Sequence, residues 1–254
     1  MSTSQAKYSD AITSADGANG ADSAQPRVPR KVAFVHSGAF FHLATLNDPA
    51  VKAHDLVEVY APEMTADSLA DCDAVFLAAR QHPDVLERIA PLFVDFAHRS
   101  GTKLYVDGEN APWQWLPGTD GTGRGTNFWA WRTGEDVGRR SVNKDHFMWN
   151  YLNDFSVHWH YHGVLEPPEG ATPLVVLEEL PAAATAADAG LGTDPWGSDY
   201  LAIPGHPNVL LYHDDATFPG EIVVSTMDCA YHHGSGFMPG ASALLYRMLT
   251  WLRD

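Results

Sequence analysis

The chain has 254 residues, 45% of them hydrophobic, which suits one large α/β domain. Its formal net charge of −16 makes nucleic acid and anionic membrane surfaces poor partners, so we expect neither. With only two cysteines and no apolar run long enough to cross a bilayer, the sequence predicts a cytoplasmic protein.

The first 26 residues are rich in Ser, Ala, Asp and Gly and contain no apolar signal-peptide core. Such a segment cannot bury enough apolar surface to order itself. We therefore expect a disordered tail over residues 1–26 and a single domain over residues 27–254.

The first half of that domain reads as alternating strands and helices. Strands are predicted over 30–36, 56–60, 73–78 and 103–106, and the continuous apolar run of the first suggests burial on both faces, as in a parallel sheet. A helix is predicted from Pro83 towards the stop signal at Gly101, with apolar residues at helical spacing. This order predicts a doubly wound α/β sheet with right-handed crossovers.

Regular patterning stops over residues 111–144, which contain two Trp-x-Trp pairs and many glycines. A long irregular segment inside a compact domain is more often a lid or a binding loop than a spacer. We expect a Trp-rich insertion here, with a flexible loop at residues 118–125 and a short helix after it, within 145–153. Whether the insertion is a lid or an interface stays open.

The second half predicts further strands and a closing helix. Strands are expected over 155–162, 174–177, 209–212 and 221–227, and the closing helix buries leucines between 244 and 252. Residues 181–198, rich in Ala, Gly and Asp, are expected to form a surface excursion.

Polar side chains follow several of the predicted strands. In an open parallel sheet these carboxyl ends meet at one edge, where ligands bind. Carboxylates and imidazoles gathered there could perform general acid–base chemistry. Polar caps of strand ends are the structural alternative. The expected acid–base groups are Asp107, Glu109, His232 and His233. The expected substrate contacts are His36, Arg80, Asn110, Trp113, Trp115 and Tyr231.

The layout resembles a known superfamily. A first strand ending in a His-Ser-Gly turn, the run Asp73-Ala-Val-Phe-Leu, the elbow at Asp107-Gly-Glu and the late run Gly220-Glu-Ile-Val-Val-Ser-Thr carry the resemblance. It is similar to the class I glutamine amidotransferase-like superfamily, most of all to its ThuA-like branch, associated with sugar utilisation. The resemblance implies a flavodoxin-like three-layer sandwich with a mostly parallel central sheet.

The elbow turn departs from the glutamine amidotransferase pattern. That family places a nucleophilic Cys there, and this chain has Asp107-Gly108-Glu109 instead. Without an activated nucleophile the acyl-enzyme route of glutamine hydrolysis is not available, so we expect no glutaminase activity. ThuA-like proteins also lack that Cys, so the departure favours this branch.

Three histidines alternate at positions 158, 160 and 162. On a strand, neighbours at this spacing lie about 6.6 Å apart and the outer pair about 13 Å, so all three could not easily bind one ion. A metal site, with zinc the first candidate, would therefore use two of them, His158 and His160, with a ligand from elsewhere. The alternative is a histidine-rich face that packs on aromatic side chains or contacts a sugar.

These observations leave three functional hypotheses. The first is a ThuA-like hydrolase or lyase that acts on a carbohydrate or a related small polar molecule by carboxylate and His chemistry. The second is a non-catalytic carbohydrate-binding module on the same fold. The third is a metal-dependent hydrolase that uses His158 and His160. All three take a small-molecule ligand, and the oligomeric state, including a homo-oligomer, stays open.

Overall fold

The computed structural model describes residues 29–124, 134, 136–180 and 200–254. The predicted N-terminal tail, the whole 181–198 excursion, and Trp129 and Trp131 of the Trp-rich insertion lie outside these residues.

Ten strands join into one sheet within the described chain. They are β1 (Val32–His36), β2 (Val57–Tyr60), β3 (Ala74–Leu77), β4 (Lys103–Val106), β5 (Asp120–Gly123), β6 (Arg139–Ser141), β7 (Gly163–Glu166), β8 (Thr172–Leu177), β9 (Val209–Asp214) and β10 (Glu221–Ser225).

Two long helices and several short ones accompany the sheet. The α-helices are α1 (Phe40–Asn47), α2 (Pro49–Lys52), α3 (Pro83–Ala97), α4 (Asp154–Val157), α5 (Cys229–Gly234) and α6 (Pro239–Arg253). Single 3-10 turns lie at Ala61–Glu63, Ala66–Leu69, Pro112–Gln114 and Phe147–Asn150. None of the helices in the described ranges is long and apolar enough to span a membrane.

The sheet has a parallel half and an antiparallel half. Strands run in the order β2-β1-β3-β4-β10-β9-β7-β5, with β8 pairing β6 and β9. The first five in that order pair in parallel, and β9, β7, β5, β8 and β6 extend the sheet through antiparallel pairs. The prediction of a central sheet of mostly parallel strands in a mixed α/β fold is confirmed for this central part.

Both faces of the parallel strands are covered. Along β1, Val32 and Phe34 belong to the cluster with the inner face of α6, whereas Ala33 and Val35 belong to the cluster with Ile89 and Phe93 of α3. Alternate residues of a strand point to opposite faces, so a continuous apolar strand is buried on both. This layering is compatible with a three-layer α/β sandwich.

One local prediction in the second half was wrong. Residues 155–162 do not form a strand, because α4 occupies Asp154–Val157 and an irregular segment leads from His158 to β7. The Asn153 side chain accepts a hydrogen bond from Ser156 N–H and forms a capping box that starts α4. Local hydrogen bonding thus overrides the alternating pattern.

The Trp-rich insertion is also less irregular than predicted. Residues 120–123, expected to be a flexible loop, form β5 and pair antiparallel with β7. β6 pairs with β8 and so contributes a second strand from the same insertion. Glycines are weak strand formers, and only pairing with β7 makes this segment a strand.

Two helices that matter for the site were not predicted. α1 replaces the turn expected after β1, and α5 follows β10 directly. They pack against each other, and the Thr45 hydroxyl donates to Ala230 O at 2.9 Å. Gly234 is required there, because a Cβ atom would lie 1.9 Å from Phe41 O.

Candidate metal centre at the carboxyl edge of the sheet

The site lies where β3, β4 and β10 end side by side. Arg80 follows β3, Glu109 follows β4, and Asp228 follows β10 as the residue before α5. Gly108 allows the β4 turn to approach β10 closely, since a Cβ atom would lie 2.6 Å from the carbonyl carbon of Met227. The carboxyl edge predicted as a ligand site therefore gathers charged side chains from three adjacent strands.

Asp107 ties these loops together. Its buried carboxylate accepts hydrogen bonds from the backbone N–H groups of Ala79, Cys229 and Ala230, at 3.2, 2.9 and 2.9 Å. The hydroxyl of Tyr105 donates to it at 3.3 Å. Burial raises the pKa of Asp107 to about 7, although these N–H donors oppose the shift. Its contacts fix the β3 loop and the start of α5 relative to β4.

Four side chains converge beside this anchor. They are His160, His162, Asp228 and His232, and each offers a ligand atom within 4.8 Å of the others. The ring centroids of His160 and His162 lie 4.2 Å apart, and those of His160 and His232 lie 5.1 Å apart. Three imidazoles and one carboxylate form a ligand set that could hold a metal ion.

The irregular backbone between α4 and β7 creates this convergence. His162 N–H donates to Thr226 O at the end of β10, and His162 O accepts from Arg124 N–H after β5. These bonds fix His162 between the two halves of the sheet. Because residues 158–162 do not form a strand, His160 and His162 are not held at strand spacing. Their ring centroids lie 4.2 Å apart, whereas alternate residues of a strand are about 6.6 Å apart along its axis.

Contacts around Asp228 Oδ1 resemble the edges of a coordination shell. His162 Nε2 lies 3.2 Å from this oxygen and His232 Nε2 lies 3.1 Å from it. All three atoms are buried, and none has a partner with hydrogen-bond geometry among the described residues. Four ligands about 2.1 Å from a tetrahedral zinc ion lie about 3.4 Å from one another. The two distances are compatible with ligands around one ion, and the geometry of the contacts does not meet the criteria for hydrogen bonds.

Arg80 and Glu109 flank the four ligands. Arg80 donates to Asp228 Oδ2 at 3.0 Å and forms an ion pair with Glu109. Glu109 Oε1 lies 3.2 Å from His162 Nδ1, the ring nitrogen opposite the one that faces Asp228. A carboxylate on the outer nitrogen of a histidine ligand fixes its tautomer and orientation.

Both flanking residues have a left-handed backbone conformation. Arg80 has φ +60°, Glu109 has φ +59° and Ala111 has φ +40°, although none of them is glycine. Such conformations cost about 1–3 kcal/mol each and persist where surrounding contacts hold them, often at functional sites.

The protonation states suit a metal ligand set. Burial lowers the pKa of His160 well below its usual value, so its imidazole is neutral. Burial would raise the pKa of Asp228, but His162 and His232 outweigh it and hold that pKa well below its usual range. For His162, Asp228 and Glu109 outweigh burial and raise the pKa, so an incoming ion would displace a proton.

Several residues predicted from the sequence lie together here. Glu109, Arg80 and His232 meet around Asp228, and the Arg80 guanidinium stacks 3.5 Å above the Tyr231 ring. His160 is one of the four ligand residues.

Other predicted residues lie apart from the cluster. His158 contacts Ser141 Oγ at 2.9 Å, and His36 lies 3.1 Å from Glu58 Oε1. His233 contacts Ser242 Oγ at 2.8 Å. The pairing of His158 with His160 in one metal site is therefore replaced by His160 with His162, since the segment is not a strand.

The predicted substrate contacts Asn110, Trp113 and Trp115 have different positions in the structure. Buried Asn110 accepts from Gln81 N–H and donates to Ala78 O and Asp107 O, so it stabilises the β3 and β4 turns. Trp113 packs beside β5 and β7, whereas Trp115 lines a cavity next to Glu109.

Sequence reasoning left His162 and Asp228 out of the predicted site residues. His162 was visible in the histidine run, but strand spacing argued against more than two histidines. Asp228 follows the late strand at the predicted edge, and its spacing of four residues from His232 on a short helix could have indicated a shared site.

No family model matches the chain, and no curated protein matches it. Among solved structures, the mmIFT52 N-terminal domain aligns with TM-score 0.49 and 10% identity, covering 88% of this chain and 98% of that one. The exo-beta-1,4-mannosidase Op5Man5 from Opitutaceae bacterium strain TAV5 aligns with TM-score 0.42 and 10% identity, covering 88% of this chain and 36% of that one. Similarities this weak assign neither a family nor an activity.

Proposed function

We propose that the protein is a metal-dependent hydrolase acting on a small molecule. The observation that carries this proposal is the convergence of His160, His162, His232 and Asp228, in which buried atoms of His162, His232 and Asp228 face one another without hydrogen-bond geometry. Imidazole with one carboxylate suits zinc; an ion held by three of these four side chains would keep one position for a water molecule, which it would activate for attack on a polarised bond.

Glu109 is the proposed general base. Burial raises its pKa while His162 and Arg80 oppose the shift, and its side chain is 30% exposed, so substrate and water can reach it. A carboxylate beside the ion can take a proton from the attacking water and return it to the leaving group. Arg80 is placed to stabilise negative charge that develops on the substrate.

Asp107 has a structural role in this proposal. Its oxygens already accept four hydrogen bonds and it is fully buried. Acid–base catalysis by Asp107 and His233, as the sequence suggested, is not part of the proposal, because neither residue lies among the four converging ligands.

The relation to ThuA-like proteins, and with it a carbohydrate substrate, remains a prediction. Two observations favour it. The parallel strands run β2-β1-β3-β4-β10, the 2-1-3-4-5 order of flavodoxin-like sheets, and the β4 elbow carries no cysteine. We propose the flavodoxin-like class on this basis. We also propose a cytoplasmic location, because the free cysteines Cys72 and Cys229 fit a reducing compartment.

Metal analysis after dialysis against zinc, followed by removal of loosely bound ion, tests the proposal. We expect about one ion per chain, turnover on a panel of chromogenic esters, phosphates and glycosides, and loss of turnover with a chelator. Glu109→Gln should keep the ion and lose turnover, whereas Glu58→Gln, a carboxylate paired with His36, should change neither. A protein that binds no transition metal would overturn the proposal.

A further inference from the structure

A cavity of about 690 Å³ adjoins the metal centre on the side of α3. This volume is within the range of small-molecule sites, about 300–1,000 Å³. Glu109 lines the cavity and also contacts His162, so the two spaces share one wall. Apart from Glu109, the residues that line this cavity have no role in the proposed hydrolytic reaction.

The lining combines apolar and acidic side chains. Leu86, Ala90 and Val94 of α3 supply aliphatic surface, and Trp115 supplies an aromatic ring. Trp115 Nε1 donates to Asn110 O at 2.8 Å, which fixes the orientation of the indole. Aliphatic surface together with a fixed aromatic ring favours a ligand with a flat or compact apolar body.

Every charged side chain that lines this cavity, among the described residues, is acidic. They are Asp84, Glu87, Asp95 and Glu109. Glu109 is paired with Arg80, and the other three carboxylates form no ion pair among the described residues. These three carboxylates therefore make the electrostatic potential in the cavity negative. An anionic ligand would be repelled, and a cation would be attracted to the carboxylates and to the Trp115 face.

A buried amide points independently to a donor on the ligand. Gln81 lines the cavity and is only 5% exposed. Its Nε2 donates to Ala78 O at 3.0 Å and to Val35 O at 3.4 Å, while Oε1 has no partner among the described residues. Oε1 is covered by protein atoms, and a buried acceptor without a donor costs about 1–3 kcal/mol, so a ligand N–H or O–H gains that interaction only where the amide turns towards the cavity.

We infer that this cavity binds a small organic ammonium ion with an apolar body, and that this group is the part of the substrate held beside the metal centre. Binding of the ammonium ion follows from the cavity alone. Its identity as part of the substrate rests on the proposed function.

A charge series on one framework tests the inference. Benzylammonium, benzyl alcohol and benzoate have similar size and differ in charge, and binding of each is titrated by calorimetry or NMR at neutral pH with chelator present. We expect benzylammonium to bind roughly fivefold or more tightly than benzyl alcohol, and benzoate to bind weakest. Equal binding of the alcohol would assign a neutral ligand and overturn the inference, as would tighter binding of benzoate or no binding at all.

Variants locate the binding. Asp84→Asn and Glu87→Gln, both exposed on α3, should each weaken benzylammonium roughly two- to fivefold and leave benzyl alcohol unchanged. Glu169→Gln, exposed and away from the lining, is the matched control. If all three variants bind alike, the cation is bound elsewhere and the inference is wrong.

The two proposals fail separately. Chelator removes any metal without affecting the cavity, so ammonium binding can persist in a protein that never binds zinc. Conversely, a zinc-dependent protein that ignores benzylammonium keeps the proposed function and loses this inference.

Discussion

The Oδ1 atom of Asp228 lies 3.1 Å from the Nε2 atom of His232, one helical turn further along the chain. Both side chains are buried, and neither of these two atoms has a hydrogen-bond partner among the described residues. Burying a carboxylate costs several kcal/mol unless opposite charge compensates it. Arg80 compensates one oxygen, and we propose that a metal ion shared with the histidines compensates the other.

Two histidines of the same run differ in their proposed roles: His162 is a metal ligand and His158 is not. His162→Ala should weaken zinc binding by more than about 100-fold, because loss of a direct ligand exceeds the 10- to 100-fold effect of an outer partner. His158→Ala should leave the affinity unchanged, since His158 contacts Ser141 instead. Competition with a chromogenic chelator measures both, and equal losses would contradict the assignment of ligands.

Arg80 should act on the metal through Asp228. Arg80→Met removes its hydrogen bond to Asp228 and its ion pair with Glu109, so we expect zinc affinity to fall by roughly 10-fold. Arg88→Met is the control, because among the described residues Arg88 bonds only to the backbone carbonyls of residues 61, 62 and 64. An Arg80 variant with the affinity of the parent protein would show that Asp228 needs no orienting partner.

His42 should make the fold sensitive to acid. Its Nε2 donates to Ala79 O at 2.8 Å and its Nδ1 accepts from Ser37 N–H at 3.3 Å, so only the neutral ring is satisfied. Burial lowers its pKa from 6.5 to about 4. The folded state therefore binds fewer protons than the unfolded state between these values, and stability falls as pH falls through this window, by about 3 kcal/mol in all.

Urea unfolding at pH 7 and at pH 4.5 measures this effect. His42→Gln should reduce the loss of unfolding free energy between the two pH values, whatever its stability at pH 7. The exposed His82, changed to Gln, is the control and should retain the full loss. An unchanged pH dependence in His42→Gln would assign the acid sensitivity to other groups.

Gly234 links the packing of two helices to the metal centre. Gly234→Ala would place a Cβ atom 1.9 Å from Phe41 O, so α5 must move, at a cost of more than about 3 kcal/mol. Because α5 carries His232, zinc affinity should fall as well. Gly123→Ala, whose Cβ would lie no closer than 4.0 Å to its neighbour His162 O, should cost less than about 1 kcal/mol, as measured by thermal unfolding.

Sequence patterns determined the parallel core of the fold. The strands β1, β3 and β4 contain the uninterrupted apolar stretches Val32–Val35, Ala74–Leu77 and Leu104–Val106, and only a strand covered on both faces buries such a stretch completely. The edge at which polar residues collect followed from the same reasoning, so Arg80 and Glu109 were placed correctly at one end of the sheet. These properties depend on local composition and on the common direction of parallel strands.

The tertiary structure decided which histidines meet. Alternation over residues 158–162 predicts a strand, but the capping box at Asn153 and the bonds of His162 to Thr226 and Arg124 bend the segment instead. His160 and His162 then face Asp228 and His232, which lie about 70 residues later in the chain. Long-range contacts of this kind leave no periodic pattern in the sequence, because they depend on how β7 and β10 are placed by the whole sheet.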